Sequence, residues 1–397
     1  MSKQVFYIDG RRTPFGSLNG VLSSVAAPQL AAPLMASLIK DLSLTDSSVD
    51  QVILGQVIQA GCGQAPARQA TLLAGLAPQV QSMTINKVCG SGLKALMLGA
   101  GSILLDESAL VFAGGMESMS RAPHALLDQR KGLKVGDMNL VDLLFHDALT
   151  DPYSKKSMGL LVEQQIAGGS VTREVQDEYA VQSYQRAIRA QERGRFVREI
   201  LPVLLQSRTG DLSVVEDEEP KRVQFDKITQ LKPAFSQNGC LTAANSSSIN
   251  DGAALCLLGS AEEVRVRGLS PKAELVSWAS VSLAPEQFSV APLPAIFKVL
   301  DQAKLKVSDI DLYEINEAFS AVPLMAIQGL KLDPERVNVN GGAVALGHPV
   351  GASGARLAIT LVEELIERQG KYGVAALCIG GGEAVAMLFR RVEDHEF

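Results

Sequence analysis

The sequence repeats one unusual arrangement near its two ends. The run "GSGLKALMLGAGSILL" at 90–105 resembles "ASGARLAITLVEELI" at 352–366, and the Ser-Gly pairs of the two runs match. Each run is followed by an apolar, strand-like segment that ends in glycines, "ALVFAGG" at 109–115 and "VAALCIGGG" at 374–382. Two coincidences in the same order, about 265 residues apart, predict a chain built from two similar halves. Generic turn chemistry of α/β proteins is the alternative explanation.

Both halves alternate short strand patterns with longer helical ones. The strand-like runs are "QVFYID", "QVILGQVI", "ALVFAGG", "DLYEI" and "VAALCIGG", and their spacing predicts α/β layering. The predicted helix at 91–105 is apolar on nearly every side, with Lys94 as its only basic residue. Such a helix is expected between two layers rather than on a surface.

The middle of the chain differs in character from both halves. It contains charged helical stretches such as "TREVQDEYAVQSYQRAIRAQERGRF" and the acidic run "EDEE" at 216–219, which is typical of a solvated loop. We therefore expect an exposed, inserted domain. A chain of 397 residues has room for several units, because single cores stop growing at roughly 250–300 residues. The predicted units are 1–118 with 250–270 as the N-terminal half, 119–249 as the inserted loop domain, and 271–397 as the C-terminal half.

Composition narrows the classes of function. The net charge of −6 argues against a nucleic-acid-binding protein, because a phosphate backbone attracts a basic face. The five cysteines are scattered and form no CxxC pair, so we expect no disulfide framework and no metal site. The N-terminal run lacks the features of a targeting peptide, the longest apolar run is too short to span a membrane, and "DHEF" is no peroxisomal address. We expect a cytoplasmic protein without a membrane partner.

One cysteine lies where a thiol can be activated. In "INKVCGSGLKAL" at 85–96, Cys89 precedes a predicted helix by a glycine turn. The dipole and the unpaired N–H groups of a helix N-terminus lower the pKa of a thiol, and a neighbouring imidazole lowers it further. A small buried hydrophobic residue is the commonest fate of a free cysteine, so the local spacing leaves both roles open.

Three further residues complete a candidate site. His348 lies in the glycine-rich loop "NVNGGAVALGHPVGASGAR", where backbone N–H groups are left unpaired. Cys378 ends an apolar strand and is followed by glycines, a place where α/β sheets usually carry reacting groups. Asn316 in "YEINEAFS" offers an amide for a water or an oxyanion, whereas Glu317 is better interpreted as a helix-start residue. Two thiols, an imidazole and free N–H groups suit acyl transfer to a carbon nucleophile.

The chain resembles the thiolase family in a series of segments that follow the order of the family: "NKVCGSGLKAL", "AGGMESMSRAPH", "TAANSSSINDGAA", "NEAFS", "NVNGGAVALGHPVGASGAR" and "CIGGG". The likeness runs from "RTPFG" to "AMLFRR" and so covers essentially the whole chain. The resemblance implies a five-layer αβαβα core of two similar halves, each with a five-stranded mixed sheet, and an inserted loop domain.

The resemblance also implies a division of labour among the site residues. Cys89 is the nucleophile that becomes acylated, and His348 activates it. Cys378 removes the α-proton of the incoming acetyl-CoA. Asn316 holds a water that forms one oxyanion hole with His348, and the N–H groups of Cys89 and Gly380 form the other. Preorganised donors of this kind stabilise the charge that develops on a thioester enolate.

For coenzyme A, the resemblance places Ser247 near the pantetheine and associates the tunnel and its adenine end with a further set of residues: Ala234, Phe235, Ala243, Met158, Phe319 and Arg222. No separate cofactor is implied, because coenzyme A thioesters are the substrates. Four departures from the family pattern lie near this pocket and leave the acyl chain length open: Ser157, Ala244 with Ser248, Phe288 and Glu383.

The function that the resemblance implies is reversible condensation of two acetyl-CoA to acetoacetyl-CoA and CoA, in ping-pong order through acetyl-Cys89. Degradative cleavage of longer 3-ketoacyl-CoA esters is the first alternative. A non-catalytic acyl-CoA-binding protein is a distant one, since the four catalytic positions are intact. The resemblance further implies a homo-oligomer, at least a dimer and often a tetramer formed through the loop domain near 121–136.

Overall fold

The computed structural model describes residues 3–132, 134–206, 210–393 and 396. The strands are β1 (Val5–Arg12), β2 (Gly16–Ser17), β3 (Gln51–Gly55), β4 (Gln81–Ile85), β5 (Leu110–Ser118), β6 (His124–Leu126), β7 (Leu140–Asp142), β8 (Val203–Leu205), β9 (Leu212–Val214), β10 (Asn250–Ser260), β11 (Ala273–Ser282), β12 (Leu312–Ile315), β13 (Tyr372–Ile379) and β14 (Glu383–Arg391). The α-helices are α1 (Ala27–Asp41), α2 (Pro66–Leu73), α3 (Ser91–Leu104), α4 (Met158–Ile166), α5 (Arg173–Glu192), α6 (Ala261–Arg267), α7 (Pro292–Ala303), α8 (Ala321–Leu330), α9 (Ala343–Leu346) and α10 (Ser353–Glu367).

Two half-sheets share one strand order. In the first, β4, β3, β5, β10 and β1 lie side by side, with β3 parallel to β4 and β5, and β10 antiparallel to β5 and β1. In the second, β12, β13, β14 and β11 follow the same order, with β12 parallel to β13, and β14 antiparallel to β13 and β11. A short pairing of β1 with β11 joins the half-sheets. The prediction of two similar halves is confirmed.

The second half-sheet has four strands where five were expected. A single parallel bridge between Tyr313 and Val337 stands where β4 stands in the first half. Asn338 then turns the chain out of the strand with a φ of 49°. Its side-chain amide makes both hydrogen bonds that a strand residue would make, because Oδ1 accepts from the Ile315 N–H and Nδ2 donates to the Ile315 carbonyl, each at 2.8 Å. One side chain therefore replaces the outer strand.

Helices α3 and α10 form the layer between the half-sheets, with buried residues of both sheets around them. On the outer faces, α1 and α2 cover the first half-sheet, and α7 and α8 cover the second. The result is the predicted five-layer αβαβα order, and the helix expected between layers is indeed buried along α3.

The repeated Ser-Gly pairs mark the crossing of α3 and α10. A Cβ on Gly92 would lie 2.8 Å from the Ala355 nitrogen, and one on Gly354 would lie 2.3 Å from the Leu93 nitrogen. The two glycines are therefore needed for close backbone approach at a crossing of two helices. This contact explains why the same pair of residues occurs in both halves.

The inserted segment begins where β5 ends at Ser118 and returns to the core where β10 begins at Asn250. Its longest helix, α5, packs on α9 of the second half through Ala180 and Ala187. The division of the chain into three units stays a prediction, as does the role of 121–136, a segment that includes Leu133 outside the described residues. Within the described ranges, no helix is both long and apolar enough to cross a membrane.

Candidate active site

Cys89 lies in a tight turn immediately before α3, as the sequence predicted. Val88 adopts a φ of 47°, and the Ser91 hydroxyl fastens the turn by accepting from the Lys87 N–H at 2.8 Å and donating to the Val88 carbonyl at 2.7 Å. Gly90 packs directly against Ile379, so that a Cβ there would lie 2.4 Å from the Cδ1 atom of that side chain. The turn is therefore pressed against the end of β13.

The second thiol, that of Cys378, lies near the end of β13. Cys378 is buried in β13, and three glycines connect β13 to β14. Gly381 and Gly382 have φ values of 90° and 87°, which only glycine adopts without strain. Burial raises the pKa of Cys378 well above its usual range, and the nearby charge of a Cys89 thiolate would raise it further.

The electrostatics of Cys89 reflect two opposing influences. Burial raises its pKa to about 11, while the N–H groups of Gly380 and of Cys89 itself hydrogen-bond to the sulfur and lower it. The charge of Glu117 is a smaller contribution to this increase. The resting residue is thus a thiol whose sulfur already faces two backbone donors.

His348 is buried beside the thiols, immediately before α10. Its Nδ1 lies 2.6 Å from the Ser353 Oγ, whose hydroxyl lies 2.9 Å from the Pro349 carbonyl. Since the hydroxyl donates to that carbonyl, Nδ1 carries the proton and Nε2 presents a lone pair. Burial and, as the smaller cause, the charge of Arg356 lower the pKa of His348 to about 3. His348 is therefore a neutral imidazole in the resting site.

Asn316 follows β12 and lies next to His348. Its Nδ2 lies 3.4 Å from the His348 Nε2, and its backbone N–H donates to the Ala376 carbonyl at 2.9 Å. The Asn316 Oδ1 is buried without a hydrogen-bond partner among the described residues. A buried acceptor in this position is ready to bind a donor from water or a substrate.

Two buried glutamates organise the loops around the site. Glu117 accepts from the N–H groups of Val57, Ile58 and Gly351 at 2.8–3.1 Å, and so joins the His348 loop to the first half. Burial raises its pKa to about 8, against these N–H groups. Sequence reasoning missed Glu117, although a lone acid after the strand-like "VFAGGM" was a signal for it. Glu317 accepts four bonds, from Tyr179, Ser183, Asn338 and the Val344 N–H, and is a hub within the fold rather than a simple helix-start residue.

A mostly apolar cavity of about 250 Å³ opens onto the thiols. Most of the predicted site residues line it: Cys89, His348, Cys378, Gly380, Ser247, Phe235, Met158 and Phe319. Three residues named as departures, Ser157, Ser248 and Phe288, line it as well. Asn316 lies behind His348 rather than on the cavity wall.

The remaining residues predicted to bind coenzyme A lie outside this cavity. Ala234 and Ala243 are exposed and do not line the cavity. Arg222 is also exposed, and its guanidinium lies 3.7 Å from Glu218 and 3.9 Å from Glu219. In the part of the chain that the structure describes, no cluster of three or more His, Cys, Asp or Glu side chains is arranged to hold a metal ion.

Each half of the chain matches a domain of one known protein family. Residues 5–262 match the thiolase N-terminal domain and residues 269–391 match the thiolase C-terminal domain. The chain belongs to the thiolase family.

Individual relatives are similar over almost the whole chain. An acetyl-CoA acetyltransferase of Cupriavidus necator is 44% identical over 389 residues, which cover 98% of this chain and 99% of that protein. The crystal structure of the Bacillus anthracis acetyl-CoA acetyltransferase superposes with a TM-score of 0.96 at 38% identity, covering 98% of this chain and 99% of that one. An Ascaris suum thiolase in complex with coenzyme A superposes with a TM-score of 0.93 at 42% identity, covering 98% and 100%.

Proposed function

We propose that this protein is an acetyl-CoA acetyltransferase that condenses two acetyl-CoA to acetoacetyl-CoA and CoA, reversibly, through acetyl-Cys89. The observation that carries the proposal is the convergence of two thiols and one neutral imidazole on a single apolar cavity. The names of the relatives from Cupriavidus necator and Bacillus anthracis support the same activity.

In the first half-reaction, Cys89 becomes acetylated. The lone pair of the His348 Nε2 takes the thiol proton as the sulfur attacks the thioester carbonyl. The charge that forms on the carbonyl oxygen is met by preorganised donors, the N–H groups of Cys89 and Gly380, while a water held by Asn316 would form the second oxyanion hole together with His348. Loss of one such donor typically costs about 3–4 kcal/mol of transition-state stabilisation.

Cys378 balances the protons of the cycle. Because burial raises its pKa, it is a thiol at rest and cannot act as a base directly. It gives its proton to the departing CoA sulfur and becomes a thiolate. In the second half-reaction this thiolate takes the α-proton of the next acetyl-CoA, and the carbanion attacks acetyl-Cys89. The Cys89 sulfur then leaves and recovers its proton from His348, which closes the cycle.

Coenzyme A is the group that the rest of the cavity is proposed to recognise. Ser247, Phe235, Met158 and Phe319 line the cavity beside the thiols and would contact the pantetheine arm. Ala234, Ala243 and Arg222 would contact the substrate only outside the cavity, at the surface. The cycle uses no further cofactor and no metal, and the cytoplasm is the proposed compartment.

A homodimer is the proposed minimal assembly, with a tetramer as its extension. Strand β4 is an edge strand that pairs only with β3 among the described strands. Met83 on this edge and Leu72 and Leu73 of the adjoining helix α2 are exposed. An apolar edge strand is prone to pair with another chain, so we place the dimer contact there. Light scattering that gave the mass of one chain would contradict this assembly.

Degradative cleavage of longer 3-ketoacyl-CoA esters is the second candidate. It is favoured by the apolar side chains of Met119, Ala148 and Leu149, which line the same cavity as Cys89. CoA-dependent thiolysis of acetoacetyl-CoA, measured beside a long-chain 3-ketoacyl-CoA, separates the two. Preference for the four-carbon substrate supports the acetyltransferase, equal or faster cleavage of the long chain supports the alternative, and no turnover of either favours an acyl-CoA-binding protein.

A further inference from the structure

One ion pair joins the turn that contains Cys89 to the glycine turn that follows the strand of Cys378. Lys87 lies two residues before Cys89, and Glu383 is the first residue of β14, directly after the three glycines that follow Cys378. The Lys87 Nζ contacts the Glu383 Oε2, and the other carboxylate oxygen accepts from the Ser282 hydroxyl at 3.0 Å. Glu383 therefore connects the turn of Cys89 to β14 and to β11.

The glycine turn needs such an anchor more than an ordinary hairpin does. Three consecutive glycines have the greatest backbone freedom of any tripeptide, and ordering them is entropically unfavourable. The Leu283 N–H holds the turn through the Gly382 carbonyl at 2.7 Å. The Gly380 N–H, which points at the Cys89 sulfur, lies at the other end of the same turn. The direction of the Gly380 N–H relative to the Cys89 sulfur therefore depends on the contacts that hold the Cys89 turn and the glycine turn together.

We propose that Glu383, through its ion pair with Lys87, is a positioning residue that holds the Gly380 N–H on the Cys89 sulfur. Its role is not direct contact with the substrate, because neither Glu383 nor Lys87 lines the cavity. The inference deepens the proposed acyl transfer and rests on it for its consequence, but the geometry of the sulfur can be tested without turnover.

The size of the effect follows from the exposure of the pair. The side chains of Lys87 and Glu383 are 26% and 30% exposed, so solvent screens the pair only in part. Exposed ion pairs contribute at most about 1 kcal/mol, which corresponds to about fivefold in a rate, and a pair that solvent screens only in part lies near this upper limit. We therefore expect a change of about fivefold when the pair is broken.

The experiment measures alkylation of Cys89 by iodoacetamide, an uncharged reagent, at a pH below the pKa of the thiol. There the rate is proportional to the thiolate fraction, and loss of the Gly380 N–H lowers that fraction. Glu383→Gln and Lys87→Met are compared with the wild type, and the modified peptide is identified by mass spectrometry. A positioning role predicts that both variants react about fivefold more slowly, because both release the turn.

The two substitutions also separate positioning from a simple charge effect. Removing the negative charge of Glu383 alone would favour the thiolate, whereas removing the positive charge of Lys87 would disfavour it. Rates that move in opposite directions would therefore overturn the proposal, as would changes smaller than twofold in both variants. The double exchange Lys87→Glu with Glu383→Lys should bring the rate back to within twofold of the wild type.

A matched control and a second measurement keep the test independent of folding and of the substrate. Glu263→Gln breaks the comparable pair with Arg267 in α6, remote from the cavity, and should leave alkylation unchanged. In the unaltered protein, about 1 M KCl screens a partly exposed pair and should slow alkylation of Cys89, while an unchanged rate would count against the proposal. Alkylation that follows the prediction in a protein without thiolase activity would refute the proposed function and leave the positioning role standing.

Discussion

The crossing of α3 and α10 offers a quantitative test of how the fold positions its chemistry. In Gly92→Ala the new Cβ would lie 2.8 Å from the backbone nitrogen of Ala355, and no rotamer can relieve a contact with backbone. Overpacking of this kind typically costs about 1–3 kcal/mol, and a backbone partner places it at the upper end. In Gly101→Ala of the same helix, the new Cβ meets nothing within 4 Å.

The pair of variants compares the same exchange within one helix, where Gly→Ala in the interior gains about 1 kcal/mol of helix propensity. Gly101→Ala should therefore unfold at higher urea concentration than the wild type. Gly92→Ala should be less stable than Gly101→Ala by about 2–3 kcal/mol, as measured by urea denaturation followed by circular dichroism. Gly92→Ala should also acetylate Cys89 more slowly, since Cys89 and His348 precede the two helices that are forced apart. Equal stability of the two variants would refute the close crossing as the reason for the repeated glycine.

Three further results follow from the site. Cys89→Ala should form no acyl-enzyme with acetyl-CoA by intact mass, and an adduct on another residue would show that the nucleophile is wrongly assigned. Ser353→Ala removes the acceptor of the His348 Nδ1 proton, so single-turnover acetylation of Cys89 should slow about tenfold or more. Ser353→Thr keeps a hydroxyl and should restore the rate. If Ser353→Ala slows acetylation by less than twofold, the assigned tautomer is wrong. Because burial lowers the pKa of His348 from 6.5 to about 3, its neutral form contributes stability that is complete above pH 6.5 and is lost as the pH falls toward 3. Of the loss in urea stability between pH 7 and pH 5, about 2 kcal/mol should therefore be absent in His348→Asn. An unchanged loss in this variant would refute the assignment.

Much of the architecture could be predicted because local sequence patterns indicate it. The repeated "SG" pairs and the apolar helix at 91–105 predicted two halves and a central helical layer, and both are confirmed by the common strand order. The gathering of Cys89, His348 and Cys378 was predictable from motifs in which glycines expose backbone N–H groups. Their individual roles stay predictions.

Other features depend on contacts between distant segments, which local patterns do not encode. Nothing around Asn338 indicates that its side chain replaces a strand, since this requires Ile315 to lie opposite it. Ser353 was recognised as part of the repeat, but its bond to His348 follows from the turn at Pro349. Glu117 is 60 residues from Val57 and 234 from Gly351, so only the folded chain shows which loops it joins.

The resting electrostatics explain why the proposed cycle needs two thiols. Burial keeps Cys89 and Cys378 protonated and His348 neutral, so none of the three reacting side chains is charged before the substrate binds. A strong base is nevertheless required for an α-proton of low acidity, and Cys89 cannot supply it while its sulfur is bound in a thioester. A second sulfur that releases its proton to the departing CoA becomes that base, without a proton having to enter from solvent. The duplicated fold provides the geometry, because the segments before α3 and α10 hold the nucleophile and the imidazole, while the end of β13 brings the second thiol to the same cavity.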